Sequence, residues 1–176
     1  MEYIKVLTDE DFGLNNLELT NPRIRVGARG IIFNNENKIA ILNKQKKNEY
    51  KLVGGGVESG ETPEEAFERE VLEETGHKIK IDKKIGVIKE IKSYDNFEQV
   101  SHVFVAHIIG KCGIPNFTEK EKDEGSRLMW VDLDEAMNLI KNCESNLVAS
   151  KYENVYHTKF IVKRDYEIIN FYKEQR

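Results

Sequence analysis

The stretch GGGVESGETPEEAFEREVLEETG at residues 54–76 runs from consecutive glycines directly into the start of a helix. Thr62 has a side chain that can cap the first turn, and Pro63 suits the first helical position because its missing N–H is not needed there. Glu65, three residues after Thr62, completes a capping box. Gly76 is a typical helix stop. The sequence therefore predicts a glycine-rich loop followed by a helix that begins at Pro63 and ends just before Gly76.

The same stretch holds most of the acidic excess of the chain. Eight glutamates, one arginine and no lysine lie between Glu58 and Glu74, whereas the net charge of all 176 residues is only −4. On a helix, Glu70, Glu73 and Glu74 share an arc of about 100°. An exposed helix normally mixes lysine with glutamate, so we expect divalent cations to neutralise this face. Oxygen ligands favour Mg²⁺, with Mn²⁺ as a substitute, over zinc.

The same stretch also carries a family resemblance. Gly55, Glu61 and the run Arg69-Glu70-Val71-Leu72-Glu73-Glu74-Thr75-Gly76 resemble the signature of the Nudix hydrolases. The chain departs from the usual pattern at Val53 and His77, which concern loop shape and packing. The resemblance implies an α/β/α sandwich with a mixed β-sheet, and Mg²⁺-dependent hydrolysis of a diphosphate linked to another moiety.

The resemblance also implies roles for individual residues. The implied metal ligands are three carboxylates and a glycine carbonyl, from Glu70, Glu73, Glu74 and Gly54. Arg69 would pair with Glu61 and orient the carboxylates. A carboxylate must also accept the proton of the attacking water, and both Glu70 and Glu74 remain open for this role.

Many members of the family add a glutamate from a distant loop. The charged segment at residues 118–125 offers Glu119, Glu121 and Glu124. We expect Glu124 to be this additional metal ligand, because its distance from the strand around Trp130 is similar to that in related sequences. A mobile charged surface loop is the alternative interpretation.

Three residues are candidates for substrate binding. Lys51 lies just before the glycines and can attract polyphosphate, whereas a solvated hairpin explains most of the neighbouring lysines, Lys38, Lys44, Lys46 and Lys47. Tyr94 stands about where diadenosine-polyphosphate members of the family carry a tyrosine, and Phe97 in the same loop can stack on a base. Both aromatic residues can equally be ordinary packing residues.

The rest of the chain alternates strands and helices, which predicts an α/β fold with a mixed sheet. We expect a single domain over residues 1–176, with a polar lead segment at 1–21, a catalytic core at 22–144 and a C-terminal helical extension at 145–176. Strands are expected at 23–33, 38–42, 49–53, 78–92, 99–109 and 128–131, a long charged loop at 110–126, and a helix from 132.

Several other classes of protein are excluded or disfavoured. Two cysteines are too few for a disulfide framework, and no Gly-Lys-Ser/Thr follows the glycines as a P-loop requires. His77 is expected as a partly exposed residue at the helix end. The basic and acidic residues of the C-terminal segment are too balanced for a nucleic-acid arm. The sequence shows no secretory signal and no membrane-spanning stretch, so a cytoplasmic protein without membrane or nucleic-acid partners is expected.

The sequence thus favours a Mg²⁺-dependent pyrophosphohydrolase, in which water attacks phosphorus in a nucleoside diphosphate linked to another moiety. Nucleoside triphosphates, dinucleoside polyphosphates and nucleotide sugars all remain open as substrates. The alternatives are a non-catalytic domain that senses a nucleotide, and a hydrolase of a non-nucleotide diphosphate. The sequence also leaves a homodimer open.

Overall fold

The computed structural model describes residues 3–176. Within this range the strands are β1 (Tyr3–Leu7), β2 (Arg23–Phe33), β3 (Ile39–Lys44), β4 (Glu49–Gly56), β5 (Lys78–Lys92), β6 (Phe97–Ile109) and β7 (Ser126–Val131). The α-helices are α1 (Pro63–Thr75), α2 (Glu119–Asp123), α3 (Leu133–Cys143) and α4 (Val155–Glu174).

The strands form one sheet in the order β1-β5-β6-β2-β4-β3-β7. β1 pairs parallel with β5, and β2 pairs parallel with β6 along its whole length. The other neighbouring pairs are antiparallel. The sheet is therefore mixed, as the interleaving of strands and helices predicted.

Helices cover both faces of this sheet. On one face, Phe67 and Val71 of α1 pack into a buried cluster with Ala28 and Ile32 of β2. On the other face, α3 and α4 pack against Ile31 and Phe33 of the same strand, which alternates its side chains between the two clusters. The predicted α/β/α sandwich is confirmed.

The segment before β2 has more structure than the polar lead that the sequence suggested. β1 forms the edge of the sheet, and Leu7 at its end is fully buried. The following 3₁₀ turn carries Asp9, which is also buried and accepts hydrogen bonds from the backbone N–H and hydroxyl of Ser93. A strand this short becomes stable because β5 offers a complete edge to pair with.

Two expected loops are also partly regular. The glycines at 54–56 continue β4, since Gly54, Gly55 and Gly56 pair in register with β2. The expected charged loop at 110–126 contains the short helix α2, which Thr118 caps through its hydroxyl. The first difference comes from pairing with a distant strand, whereas α2 begins with a local capping box between Thr118 and Glu121.

The C-terminal helix α4 belongs to the core of the sandwich. Phe160, Ile168 and Ile169 are fully buried in the cluster shared with α3. The Asp165 carboxylate accepts a hydrogen bond of 2.8 Å from the backbone N–H of Leu52, which ties α4 to β4. None of the helices within residues 3–176 combines the length and the apolar character needed to cross a bilayer.

Candidate active site

The helix α1 places its carboxylates with a fully formed cap at its start. The Thr62 hydroxyl accepts from the Glu65 N–H, and the Glu65 carboxylate accepts from the Thr62 N–H at 2.8 Å. The helix ends at Gly76, whose φ of 72° is left-handed. The predicted helix and both of its boundaries are confirmed.

Arg69 is the centre of the ion pairs on this helix. Its Nε and Nη2 atoms donate to the two carboxylate oxygens of Glu61 at 2.7 and 3.0 Å. Its Nη1 donates to Glu70 at 2.9 Å, and Nη2 also donates to the Gly56 carbonyl. The hydrogen bonds from Arg69 lower the pKa of Glu61 to about 2. This bidentate pairing fixes the guanidinium at the open edge of the carboxylate group.

The carboxylates of the arc have different surroundings. Glu74 is buried and accepts a hydrogen bond of 2.8 Å from the Gly54 N–H, and Lys51 Nζ lies 3.6 Å from its other oxygen. Burial raises the pKa of Glu74 to about 7. Burial, followed by the charge of Glu70, also raises the pKa of Glu73. The carboxylates therefore repel one another, and a cation would relieve that repulsion.

The glycines at the end of β4 let the backbone approach this cluster closely. A Cβ atom at Gly55 would lie 2.3 Å from Oε1 of Glu70, which no side chain can tolerate. Gly54 has a φ of 135°, and a Cβ atom there would lie 2.4 Å from the Ala28 carbonyl oxygen. Any larger residue would thus displace either Glu70 or strand β2.

A cavity of about 280 Å³ lies beside this cluster and is lined by two chemically different groups of residues. One group of lining residues, called here the acidic wall, consists of Glu70, Glu73, Glu74 and Glu121 from α1 and α2. A second group, the arginine wall, consists of Arg25 and Arg29 from β2 and Arg164 from α4. Lys51, Gly54 and Arg69, all expected at the site, line the same cavity, together with Gln99, Lys120, Glu153 and His157.

The sequence analysis did not identify the arginine wall. Arg25 and Arg29 stand four residues apart on β2, so both point to the same face of the sheet. The alternation of RIRVGAR at residues 23–29 was a usable signal for this shared face. Arg164 comes from α4 and carried no comparable signal.

Glu124 does not lie with the other carboxylates. It is buried, and its oxygens accept from Lys44 Nζ at 2.8 Å and from the Ser150 hydroxyl at 2.7 Å. Glu121, one turn earlier, lines the cavity instead, and its charge helps to raise the pKa of Glu73. The structure thus places Glu121, and not the expected Glu124, at the cavity that the other carboxylates line, because Lys44 already binds the Glu124 carboxylate.

The two candidate aromatic residues lie outside the cavity. Phe97 is the first residue of β6, is only 1% exposed, and has the Arg23 guanidinium over its ring at 4.5 Å. Tyr94 is half exposed, and its ring packs edge-on against Tyr156. Base stacking by Phe97 is thus wrong, since neighbouring side chains bury its ring.

Two further expectations about polar residues are corrected. His77 is buried, and its ring packs edge-on against Trp130, whereas a partly exposed position was expected. Lys44 and Lys47 are also buried rather than solvated. Lys47 Nζ lies 2.7 Å from the nearby Glu49 and 2.5 Å from the distant Glu153, so these two carboxylates compensate its charge.

The donor set of the acidic wall fits a hard divalent cation. It offers only oxygen atoms, from the four carboxylates and the Gly54 carbonyl, and Mg²⁺ and Mn²⁺ prefer such ligands. Within residues 3–176, no three acidic, histidine or cysteine side chains already converge in a metal-binding geometry. In the structure Glu70 accepts a hydrogen bond from Arg69, and Glu74 accepts one from Gly54. The argument that a divalent cation fits this site therefore depends on the oxygen-only set of ligands and on the close approach of Gly55 to Glu70.

Comparison with known proteins identifies the family. The sequence model of the NUDIX domain matches residues 23–150. The chain belongs to the NUDIX family. The matched range holds the glycines, α1 and the acidic wall, so the family resemblance expected from the sequence is confirmed.

Two curated relatives of this NUDIX protein have descriptive names. The "Putative 8-oxo-dGTP diphosphatase" of Bacillus subtilis is 36% identical over 105 residues, which is 60% of this chain and 64% of that protein. The "ADP-ribose pyrophosphatase" of Methanocaldococcus jannaschii is 40% identical over 110 residues, 60% of this chain and 62% of that protein. The match thus spans slightly less than two thirds of either relative.

A solved structure of similar fold is the "NUDIX hydrolase from Nitrosomonas europaea". It superposes with a TM-score of 0.60 and 16% sequence identity, over 87% of this chain and 90% of that one. At this identity the likeness concerns the fold alone. It agrees with the mixed sheet between helical layers described above.

Proposed function

We propose that this protein is a divalent-metal-dependent hydrolase that cleaves the diphosphate bond of a small nucleotide-type substrate. The acidic wall carries the proposal, because its carboxylates line the same cavity as several cationic side chains. The names of the two curated relatives, a diphosphatase and a pyrophosphatase, support the same class of reaction.

Glu70, Glu73 and Glu74, with the Gly54 carbonyl, would hold the Mg²⁺, and Glu121 would replace Glu124 as the further carboxylate. A metal at this position supplies charge neutralisation of the diphosphate and a bound water of lowered pKa. Arg69 acts as a positioning residue, because it holds Glu70 through a bond of 2.9 Å while Glu61 fixes the guanidinium.

The cationic side chains around the carboxylates would bind the phosphates. Lys51 Nζ lies 3.4 Å from the Gly54 carbonyl oxygen and 3.6 Å from Glu74, so its charge stands at the junction of the two walls. A phosphate oxygen there would meet a cation on one side without losing access to the metal site. Both Glu70 and Glu74 remain candidates to accept the proton of the attacking water.

The direct test measures phosphate or pyrophosphate release with Mg²⁺ or Mn²⁺ from a panel of nucleoside triphosphates, 8-oxo-dGTP, ADP-ribose and nucleotide sugars. Glu73→Gln should lower kcat by about 100-fold or more, because the variant removes a charged metal ligand. Glu68→Gln is a matched control, since Glu68 is an exposed glutamate of the same helix and lies outside the cavity.

Two outcomes would reject the proposal. Equal turnover by the wild type and Glu73→Gln would remove the metal-binding role of the acidic wall. Binding of an intact nucleotide for hours in Mg²⁺, with no product from any compound of the panel, would indicate a sensing domain instead.

A further inference from the structure

The arginine wall contains two guanidinium groups that no carboxylate neutralises directly. Within residues 3–176, neither Arg25 nor Arg29 has a carboxylate oxygen within 4 Å. Arg164 lies on the same wall but contacts Glu90 at 3.1 Å and Asp165 at 2.8 Å. The arginine wall therefore contains one arginine that forms ion pairs with carboxylates of the protein and two arginines that do not.

Arg29 is the more telling of the two, because it is only 4% exposed. Its Nε donates to the Ser101 hydroxyl at 3.2 Å, while Nη1 and Nη2 donate to no acceptor within the described chain. Burial, followed by the charge of Arg164, lowers the pKa of Arg29 to about 10, which still leaves it protonated at neutral pH. The charges of Asp165 and Glu90 offset this effect only in part, and the Nη donors of Arg29 without an acceptor border the cavity.

Gly27 lets other groups lie close to the backbone of β2 between the two side chains. It stands between Arg25 and Arg29 on the same face of β2, and a Cβ atom there would lie 3.1 Å from the Ser101 hydroxyl and 3.3 Å from Nη2 of Arg29. A larger residue would therefore press on the Arg29 guanidinium. The Arg25 guanidinium lies against Gly56, whose carbonyl accepts a hydrogen bond from Arg69.

The cavity offers little to recognise a nucleobase. Among residues 3–176, no phenylalanine, tyrosine or tryptophan lines it, and Ile161 is the single large apolar side chain. Most of the side chains that line this cavity are charged, which suits contacts to phosphate.

We propose that Arg25 and Arg29, with Gly27 between them, form an anion subsite for a phosphate group of the substrate other than the two joined by the cleaved bond. This inference rests on the proposed hydrolysis, and it names the substrate class. The class is compounds with a third phosphate, such as nucleoside triphosphates, in preference to a nucleoside diphosphate linked to an uncharged sugar. The identity of the base contributes little.

The test compares two substrates with the same nucleoside, GTP and GDP-mannose. Arg25→Gln should raise the KM for GTP by about tenfold, because one charge-assisted contact is lost. The same variant should leave kcat within threefold and the KM for GDP-mannose within twofold. Arg25 is an exposed residue, so this substitution is compatible with folding. Arg127→Gln is the matched control, since Arg127 is an exposed strand arginine outside the cavity.

A second measurement does not depend on hydrolysis. Calorimetry with inorganic triphosphate in EDTA should show binding to the wild type and about tenfold weaker binding to Arg25→Gln. If no substrate is hydrolysed but triphosphate binding depends on Arg25, the proposed function fails and the subsite stands. If the wild type does not bind triphosphate, or Arg25→Gln binds it equally, the subsite is rejected. An equal rise in KM for GTP and GDP-mannose also rejects it.

Discussion

The two walls of the cavity carry opposite charges that the protein leaves uncompensated to different degrees. On the acidic wall, Arg69 and Lys51 partly offset four carboxylates, and burial, followed by the charge of Glu70, raises the pKa of Glu73. On the arginine wall, internal carboxylates bind Arg164 alone. The difference is that the proposed cation would compensate a wall whose carboxylates are already partly paired, whereas the proposed anion would compensate two arginines that have no direct partner. A metal-bound polyphosphate would do both.

The largest expected effect comes from replacing Arg69, which holds carboxylates of the acidic wall in position. Arg69→Lys keeps the charge but loses the bidentate contact with Glu61, so it should weaken the apparent Mg²⁺ affinity by about 10- to 100-fold. Mg²⁺ titration of the initial rate measures this, with Glu68→Gln as the control. An unchanged Mg²⁺ midpoint would show that Glu70 and Glu73 hold their positions without Arg69.

The next effect separates two glutamates that lie close in sequence. Glu121→Gln should lower kcat by about tenfold, since its carboxylate belongs to the acidic wall. Glu124→Gln should leave kcat within threefold but lower the free energy of unfolding by about 3 kcal/mol, because Lys44 would lose its buried partner. Rate measurements and urea unfolding of both variants provide the comparison. The opposite pattern, with Glu124 affecting kcat, would restore the expectation drawn from the sequence.

The structural features that the sequence predicted correctly are those that depend on neighbouring residues. The cap at Thr62, the stop at Gly76 and the shared face of the three carboxylates all follow from helical geometry over a few residues. The interleaving of strands and helices along the chain also predicted the mixed sheet.

The structural features that the sequence did not predict depend on contacts between residues that are far apart in the chain. The ion pairs of Lys44 with Glu124 and of Lys47 with Glu153 join residues 80 and 106 positions apart, so no local pattern encodes their burial. The arginine wall likewise needs α4 to fold back onto the sheet before Arg164 can meet Arg29. Phe97 was misplaced for the same reason, since its burial depends on Arg23 and on side chains from α4.

A smaller expected effect is a change in the pH dependence of stability. It involves Glu153, which lies just before α4 and beside the arginine wall. Burial opposes ionisation of Glu153, but the charge and hydrogen bond of Lys47, with Lys120 and His157 nearby, outweigh it and hold the pKa at about 2. The folded pKa lies below the ordinary value of 4.5, so this stabilisation is present above pH 4.5 and is lost as the pH falls toward 2. Between pH 7 and pH 3 it contributes about 2 kcal/mol to unfolding free energy.

Urea unfolding at these two pH values tests this contribution. Glu153→Gln should reduce the difference in unfolding free energy between pH 7 and pH 3 by about that amount. Glu36→Gln is the control, because Glu36 is exposed and its carboxylate has no ion pair within residues 3–176. An identical pH dependence in wild type and Glu153→Gln would mean that other acidic groups account for the acid sensitivity.

The smallest expected effect is on Tyr94, which lies outside both walls. Tyr94→Ala removes an edge-on contact with Tyr156 and should cost about 1 kcal/mol of stability, while KM for nucleotide substrates stays within twofold. A stacking role for Tyr94 would make the loop after β5 part of the substrate-binding site. In the structure this loop instead contacts other parts of the protein. The Tyr156 hydroxyl donates to buried Asp9 at 2.7 Å and accepts from the Tyr94 N–H, so the loop is held against α4 and the turn after β1. Steady-state kinetics on GTP and a diadenosine polyphosphate, with thermal melting of the same variant, measure both quantities. A rise of tenfold or more in the KM for either substrate would extend the binding site beyond the two walls.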